Sequence, residues 1–290
     1  MEIRDLDTKE EITWCPGCSN LRILEAFKGA ITDLAKEGKI EAKDVATVTG
    51  IGCHAKIFDY VNVNGFYGIH GRVLPVCLGI KLGNPKLTVV GFGGDGDTYA
   101  EGISHFIHAN RNNADFTMIV HNNQVFSLTT GQATPTSEKG FIGGSTPYGT
   151  IEKPINPIAL ALESQASFVA RSYALDVLHL KNIIKQAIEH KGFSFVDVLQ
   201  PCIIFHNTIP YFQKNIYKLK EQNHDLNDLN KALEVAREWD YCFEKDKKVP
   251  IGIFYKAERP TFGEQRLKSE MPWYTIKRKV DWEKIIEEFK

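Results

Sequence analysis

The sequence predicts an α/β protein: a mostly parallel sheet with helices on both faces, followed by a C-terminal extension. Three observations carry this expectation. Short apolar runs rich in β-branched and aromatic residues alternate with stretches whose apolar residues recur at helical spacing, as strand–helix–strand crossovers require. Several of those runs open into Gly or Asn turns, which reads as buried strands reaching a loop. The 290 residues are 43% hydrophobic and 24% charged, with no internal repeat or low-complexity linker, so one substantial core is within reach.

Taken in order, Leu21, Leu24, Phe27, Ala30, Ile31 and Leu34 recur at helical spacing, predicting a helix from Asn20 to about Gly38, where the glycine supplies a stop. Strands are expected at Val45–Thr49, Leu87–Phe92, Phe116–His121 and Phe195–Leu199, with helices at Tyr99–Asn110, Ile158–Glu163 and Val177–His190. The stretch Thr129–Asn156 is rich in Gly, Thr, Ser and Pro without an apolar period, and reads as a long ordered loop beside a site. After His206 the pattern weakens into a polar tail with a helix from Leu226 to about Tyr241 and a short strand in VPIGIFYKAERPTFGEQ. The expected organisation is one domain over residues 1–206 with an extension over 207–290 that packs on the same domain or on a partner.

Formal net charge is −1, from 35 basic and 36 acidic residues, so nothing points to a global attraction for nucleic acid or an anionic membrane. The stretch MEIRDLDTKEEITW lacks the apolar core of a signal peptide, and no apolar run approaches the ~20 residues of a membrane span. The reading is a cytoplasmic protein with no membrane partner. In that reducing compartment its cysteines, Cys15, Cys18, Cys53, Cys77, Cys202 and Cys242, are thiols or metal ligands rather than disulfides.

Ligands of a parallel sheet gather at the carboxyl ends of its strands. Here those ends read GIGCHAK, GGDGD and HNNQVFS. In the second, a strand opens into glycines and two carboxylates, and the next strand ends at Asn122 and Asn123 about one helix later. A carboxylate, an amide oxygen, a backbone carbonyl and phosphate oxygens would suit a magnesium ion, and glycines let the backbone approach phosphates. GDGD alone reads equally as a tight turn; the downstream Asn pair decides for a ligand site. Ser104 and His105 are read as ordinary residues of the intervening helix.

The segment WCPGC at 14–18 places two thiols around Pro-Gly, a shape shared by redox dithiols, zinc sites and iron–sulfur clusters. Cys53 in GIGC and Cys202 in LQPC lie at other strand ends. Together with Cys15 and Cys18 they supply the four thiolates that a [4Fe–4S] cluster takes. Cys77 and Cys242 are read as small buried hydrophobes.

With CPGC, GIGCHAK, HGR, GGDGD and NNQVFSLTTGQATPTS in this order, the chain resembles the β subunit of the 2-oxoacid:ferredoxin oxidoreductases over about residues 12–206 and again at IGIFYKAERPTF. The resemblance implies a thiamine-diphosphate-binding fold and oxidative decarboxylation of a 2-oxoacid to acyl-CoA and CO2, with electrons passed through a [4Fe–4S] cluster to ferredoxin. It implies Asp95 and Asn123 as side-chain magnesium ligands and Val125 as the backbone ligand. Gly96, Asp97, Ser127 and Leu128 would contact the diphosphate, and Ile51, Gly52, Cys53 and His54 the thiamine, with Gly94 also among the cofactor-binding residues. Lys56 would lie near the substrate carboxylate and His70 would face the cofactor. Cys15, Cys18, Cys53 and Cys202 would hold the cluster.

The implied partners are an α subunit, ferredoxin, a 2-oxoacid and coenzyme A. No Glu stands out as the carboxylate that thiamine chemistry needs against the aminopyrimidine ring, and in the family the α subunit supplies it. One departure is Thr130, where many relatives carry a basic residue that could pair with a second substrate carboxylate. A non-oxidative thiamine-diphosphate subunit would have no use for four cluster thiolates, and a plain electron-transfer or zinc-stapled subunit would not need GDGD with NN.

Overall fold

The computed structural model describes residues 1–245, 247–267, 271–277 and 279–290. Among the described residues ten strands form: β1 (Val45–Thr49), β2 (Asn64–Tyr67), β3 (Thr88–Gly94), β4 (Thr117–Asn122), β5 (Val125–Phe126), β6 (Gln132–Ala133), β7 (Phe168–Tyr173), β8 (Ser194–Leu199), β9 (Ile216–Lys218) and β10 (Val249–Lys256). Eight of them make one sheet in the order β2-β1-β3-β4-β8-β7-β10-β9, and β5 pairs with β6 as a separate antiparallel ribbon. From β2 to β7 every pairing is parallel. The pair β7–β10 is antiparallel, and β9 runs parallel to β10. The expected mostly parallel α/β sheet is therefore present.

Helices cover both faces, as β-strands with apolar residues on both sides demand. Helix α1 (Asn20–Lys36) packs with α5 (Val177–Glu189) on one side, where Ile23, Phe27, Ile31, Leu180 and Ile184 meet Val90, Phe92, Ile119 and Val196. On the other side α2 (Val73–Gly83), α3 (Ile103–Asn112), α4 (Pro157–Glu163) and α7 (Leu229–Ala236) close over Met118, Val120, Phe195 and Phe254. Helix α6 (Ile209–Asn215) adds Phe212 to a third cluster with Trp239, Tyr241, Val249 and Ile251. Two short helices, α8 (Phe262–Leu267) and α9 (Trp282–Glu287), follow.

The helices expected at Asn20, Ile158 and Val177 and the four expected strands all form, with ends shifted by up to two residues. The helix expected over Tyr99–Asn110 is broken: a π-helical turn over Gly96–Glu101 precedes α3. At the junction Gly102 leaves the helical conformation, with φ −107° and ψ 7°. Ser104 and His105 do sit on α3. The helix expected from Leu226 is shortened to α7, capped by Asp228 accepting from the Lys231 N–H; beyond it, Trp239 and Tyr241 turn into the third core cluster. The strand expected in VPIGIFYK is eight residues long and joins the main sheet.

Strand β7 gave no sequence signal because Arg171 interrupts it, and the sheet centre explains that residue. Asp197 on β8 and Arg171 on β7 are paired neighbours with no exposed surface. Asp197 accepts from Tyr99 OH at 3.0 Å, Asn122 Nδ2 at 3.0 Å and Tyr241 OH at 2.7 Å, with Arg171 Nε 3.8 Å away. The guanidinium donates to Tyr241 OH and Pro250 O and stacks within 5.3 Å of Trp239, Tyr241 and Phe254. Each charge thus has a counter-charge and hydrogen-bond partners, the condition under which a buried ion pair is tolerated. Asp197→Ala would leave the guanidinium uncompensated and should cost about 3–5 kcal/mol in chemical denaturation. Replacing the pair by Arg171→Met with Asp197→Leu should cost clearly less than the two single changes added together.

Candidate functional site

After β1 the chain turns toward β2 on one side, and after β3 toward β4 on the other. A crevice opens where connections diverge, and it is the place where open α/β sheets bind ligands. Its lining comes from three strand ends: Ile51, Gly52, Cys53 and His54 after β1; Gly94, Asp95, Gly96 and Asp97 at and after β3; and His121, Asn123, Val125, Phe126, Ser127, Leu128 and Thr129 at and after β4, with His70 beside them. Every residue expected to contact cofactor or magnesium lines this crevice. Lys56 does not; its Nζ donates to Thr13 O and Thr13 Oγ1, both at 3.0 Å. Thr130 is exposed, in a left-handed conformation at φ 79°.

The glycines keep the floor of the crevice backbone-only. A Cβ at Gly96 would lie 2.1 Å from the Phe126 ring, and one at Gly94 2.9 Å from His54 Nδ1, so side chains are excluded where a phosphate would need the amides.

The two carboxylates of GDGD sit in opposite environments. Asp95 is buried, with Oδ2 accepting from Thr134 Oγ1 at 2.5 Å and Thr136 Oγ1 at 2.9 Å. Burial pushes its carboxyl up to about 6 against those two hydroxyls, with Asp197 adding to the rise. Asp97 is opposed by burial too, yet His54 and His70 outweigh it and hold its carboxyl well below the usual range. His70 Nδ1 lies 3.1 Å from Asp97 Oδ1, His54 Nε2 3.6 Å from Oδ2, and the Gly71 N–H donates to Oδ1 at 2.8 Å. Asp95 is therefore a desolvated carboxylate with hydroxyl partners and no counter-charge of its own, an environment that a hard cation relieves. Asn123 presents Oδ1, which accepts from the Val125 N–H at 3.1 Å, while its Nδ2 is bound to Ser127 Oγ and Gln200 Oε1. The donor set fits a magnesium diphosphate.

Sequence reasoning missed His121. It lies on β4 with Nδ1 2.7 Å from Asn20 Oδ1, and burial pushes its imidazole well below its ordinary value, with His54 adding to the effect. A neutral ring donating from Nδ1 leaves Nε2 a lone-pair acceptor, and that atom is buried without a partner at the crevice wall. In the sequence it reads only as the residue before NN. Thr134 and Thr136 were equally hidden, inside a loop with no period.

The CPGC turn is closed by the Cys18 N–H donating to Cys15 O at 2.9 Å, with Gly17 at φ 79°, as a Pro-Gly turn requires. It packs against Ile203, which adjoins Cys202, and Trp14 Nε1 donates to Cys53 O at 2.6 Å. The four thiols sense one another: burial first, then Cys53, Cys15 and Cys202, hold the Cys18 thiol up to about 11 against an N–H from Asn20. Cys53 Sγ also accepts from Ser127 Oγ at 3.3 Å, which places one of these thiols at the wall of the crevice. Among the described residues no three His, Cys, Asp or Glu side chains are close enough to chelate a single ion. Cys77 is fully buried on the inner face of α2, and Cys242 is half-buried with its carbonyl bonded to Trp239 Nε1.

Two measurements test these electrostatics. Because the folded pKa of Asp95 lies near 6 and the unfolded value near 3.8, the metal-free fold holds that proton more tightly, and stability falls as pH rises between those values. Asp95→Asn should therefore stabilise the magnesium-free chain at pH 8 by about 1–3 kcal/mol in urea denaturation. His70 is raised by Asp97, so its contribution is complete below pH 6.5 and lost as pH climbs through the raised value. NMR titration of the His70 ring should show its pKa return toward 6.5 in Asp97→Asn.

Residues 50–198 match the family described as thiamine pyrophosphate enzyme, C-terminal TPP binding domain, and residues 202–270 match the family of the C-terminal part of the pyruvate ferredoxin oxidoreductase β subunit. The 2-oxoacid:ferredoxin oxidoreductase subunit beta of Saccharolobus solfataricus is 44% identical over 275 residues, 90% of this chain and 87% of the relative. The 2-oxoglutarate synthase subunit KorB of Methanocaldococcus jannaschii is 34% identical over 263 residues, 89% and 94% of the two chains. A solved chain of 2-oxoglutarate:ferredoxin oxidoreductase from Magnetococcus marinus, with 2-oxoglutarate, coenzyme A and succinyl-CoA bound, matches 100% of this chain and 96% of its own at a TM-score of 0.88 and 32% identity. With motif order, sheet and crevice in agreement with these relatives, this chain belongs to the β subunits of the 2-oxoacid:ferredoxin oxidoreductases and is an enzyme subunit with a thiamine-diphosphate-binding domain.

Proposed function

We propose that the chain works with an α subunit to decarboxylate a 2-oxoacid oxidatively to acyl-CoA and CO2, passing the electrons through a [4Fe–4S] cluster to ferredoxin. The observation that carries the reading is the convergence of two ligand sets at one sheet edge. Asp95 and Asn123 meet in the crevice, and Cys53, coupled to Cys15, Cys18 and Cys202, forms its wall.

Thiamine diphosphate, when bound, supplies the electron sink for decarboxylation, and the cluster a one-electron outlet. The protein's own part is placement. Asp95, Asn123 Oδ1 and the Val125 carbonyl hold magnesium. Gly94, Gly96, Asp97, Ser127 and Leu128 surround the diphosphate, and Ile51, Gly52, Cys53 and His54 meet the thiamine. Asp97 keeps His54 and His70 oriented beside the crevice. Lys56 would approach a substrate carboxylate only by exchanging its two bonds to Thr13. Thiols that influence one another without a ready single-ion chelate suit a cluster, which spreads its ligands over several metal atoms.

An α subunit is supported by what the crevice lacks. Its volume is about 90 Å³, against several hundred for a complete ligand pocket, and no Glu among the described residues lines it. Ile51, Phe66, Tyr67, Ile69, Leu128 and Phe205 are exposed, and of these Ile51 and Leu128 line the crevice itself; apolar surface of this kind marks an interface. No helix among the described residues is long and apolar enough to cross a membrane. All six cysteines are free, which accords with a cytoplasmic location.

The deciding experiment is anaerobic purification of the complex with its α subunit, followed by iron, sulfide, zinc and thiamine analysis and an assay of 2-oxoacid- and CoA-dependent ferredoxin reduction. About four irons and four sulfides with one thiamine diphosphate per β chain are expected; zinc without iron or thiamine would sink the proposal. Asp95→Ala should lose magnesium-dependent thiamine diphosphate binding, and Cys202→Ser should lower iron content and alter the cluster spectrum.

A further inference from the structure

Gln200, the first residue past β8, is 2% exposed and uses both ends of its amide on different halves of the site. Oε1 accepts from Asn123 Nδ2 at 2.9 Å, and Nε2 donates to Ser19 Oγ at 2.9 Å. The Gln200 backbone N–H donates to Asn122 O at 2.9 Å, which locks its own position to the end of β4. Ser19 Oγ donates onward to Pro201 O at 2.9 Å. Ser19 directly follows Cys18, and Pro201 directly precedes Cys202.

An amide has one end that can meet a cation and one that cannot. Asn123 Nδ2 is committed to Gln200 Oε1 and Ser127 Oγ. If the Asn123 amide alone were inverted, two carbonyl oxygens would face each other in a buried place, and inverting Gln200 with it would turn Oε1 toward Pro201 O, to which Nε2 now donates at 3.2 Å.

We propose that Gln200 is a positioning residue that fixes the Asn123 amide with its oxygen toward the cation and ties the CPGC turn and Cys202 to the same frame. Cofactor site and thiol site are then one rigid unit rather than two neighbours. The inference rests on the reading of Asn123 as a magnesium ligand. It differs from that reading in naming the residue that makes Asn123 competent, one that touches neither cofactor nor thiol. A side chain that merely filled the core could be replaced by one of equal length without polar atoms.

The test uses the anaerobic complex with the α subunit and two readouts: the magnesium concentration giving half-maximal thiamine diphosphate binding, and the electron paramagnetic resonance line shape of the reduced cluster. Gln200→Met should raise that magnesium concentration about 10-fold, the order of one lost buried hydrogen bond, and change the line shape. Ser19→Ala keeps the Gln200–Asn123 contact, so it should leave the magnesium response within about twofold of wild type while altering the line shape. If Gln200→Met fails to assemble, Gln200→Asn, whose amide is one methylene too short to reach Asn123, should give the same magnesium shift. A wild-type magnesium response in either Gln200 variant, whatever its melting temperature, would overturn the positioning role, and an unchanged line shape in Ser19→Ala would overturn the tie to the thiols. A wild-type complex indifferent to magnesium would instead overturn the magnesium assignment itself.

Discussion

A carboxylate shut away from water at the centre of the sheet organises this molecule. Asp197 can be ionised there only because Tyr99, Asn122, Tyr241 and Arg171 reach it from four different elements, and each of those elements is thereby held to β8. The π-helical turn after Asp95 carries Tyr99, β4 carries Asn122, β7 carries Arg171, and the segment after α7 carries Tyr241. Asn122 extends the network outward: its Oδ1 lies 3.0 Å from Thr136 Oγ1, which is also 2.9 Å from Asp95 Oδ2. The proposed cation ligand is thus the last member of a polar chain rooted in the core. Such chains hold geometry well when every member is satisfied.

The same fold makes two neighbouring aspartates behave oppositely. Asp95 points into a dry pocket of hydroxyls and is raised, whereas Asp97 faces two imidazoles and a backbone N–H and is lowered. One carboxylate is met only by hydroxyls, and the other by two imidazoles and a backbone N–H. The difference between them follows from environment, not residue type. It is produced by the π-helical turn, which sends side chains two residues apart to different walls.

The CPGC turn, the Cys53 turn and the end of β8 are far apart in sequence, and short polar bonds join them: Trp14 to Cys53, Ser19 to Pro201, Gln200 to Ser19. None of these uses a thiol. The backbone that carries the sulfurs is thus set by polar groups other than the thiols themselves. Residues that hold rather than react account for much of the buried polar content around the crevice.

Much of the fold was legible in the sequence because its signals are local. Apolar spacing from Leu21 to Leu34 marks α1 whatever surrounds it, and a strand running into GGDGD announces a ligand turn. Local pattern could not reveal β7, whose Arg171 is rational only opposite Asp197. It gave no sign of α2 either, apolar but for Lys81 and carrying Pro75 and Gly79, or of β2, whose residues are exposed. The sequence by itself determined which candidate ligand residues occur and in what order, since ligand types and their spacing within one turn are short-range properties. Only tertiary structure decided that His121, Thr134, Thr136 and Gln200 belong with them, and that Lys56 bonds Thr13 instead of the crevice. Hydrogen bonds across as many as 182 residues depend on how the parallel strands order themselves, which no window of sequence contains.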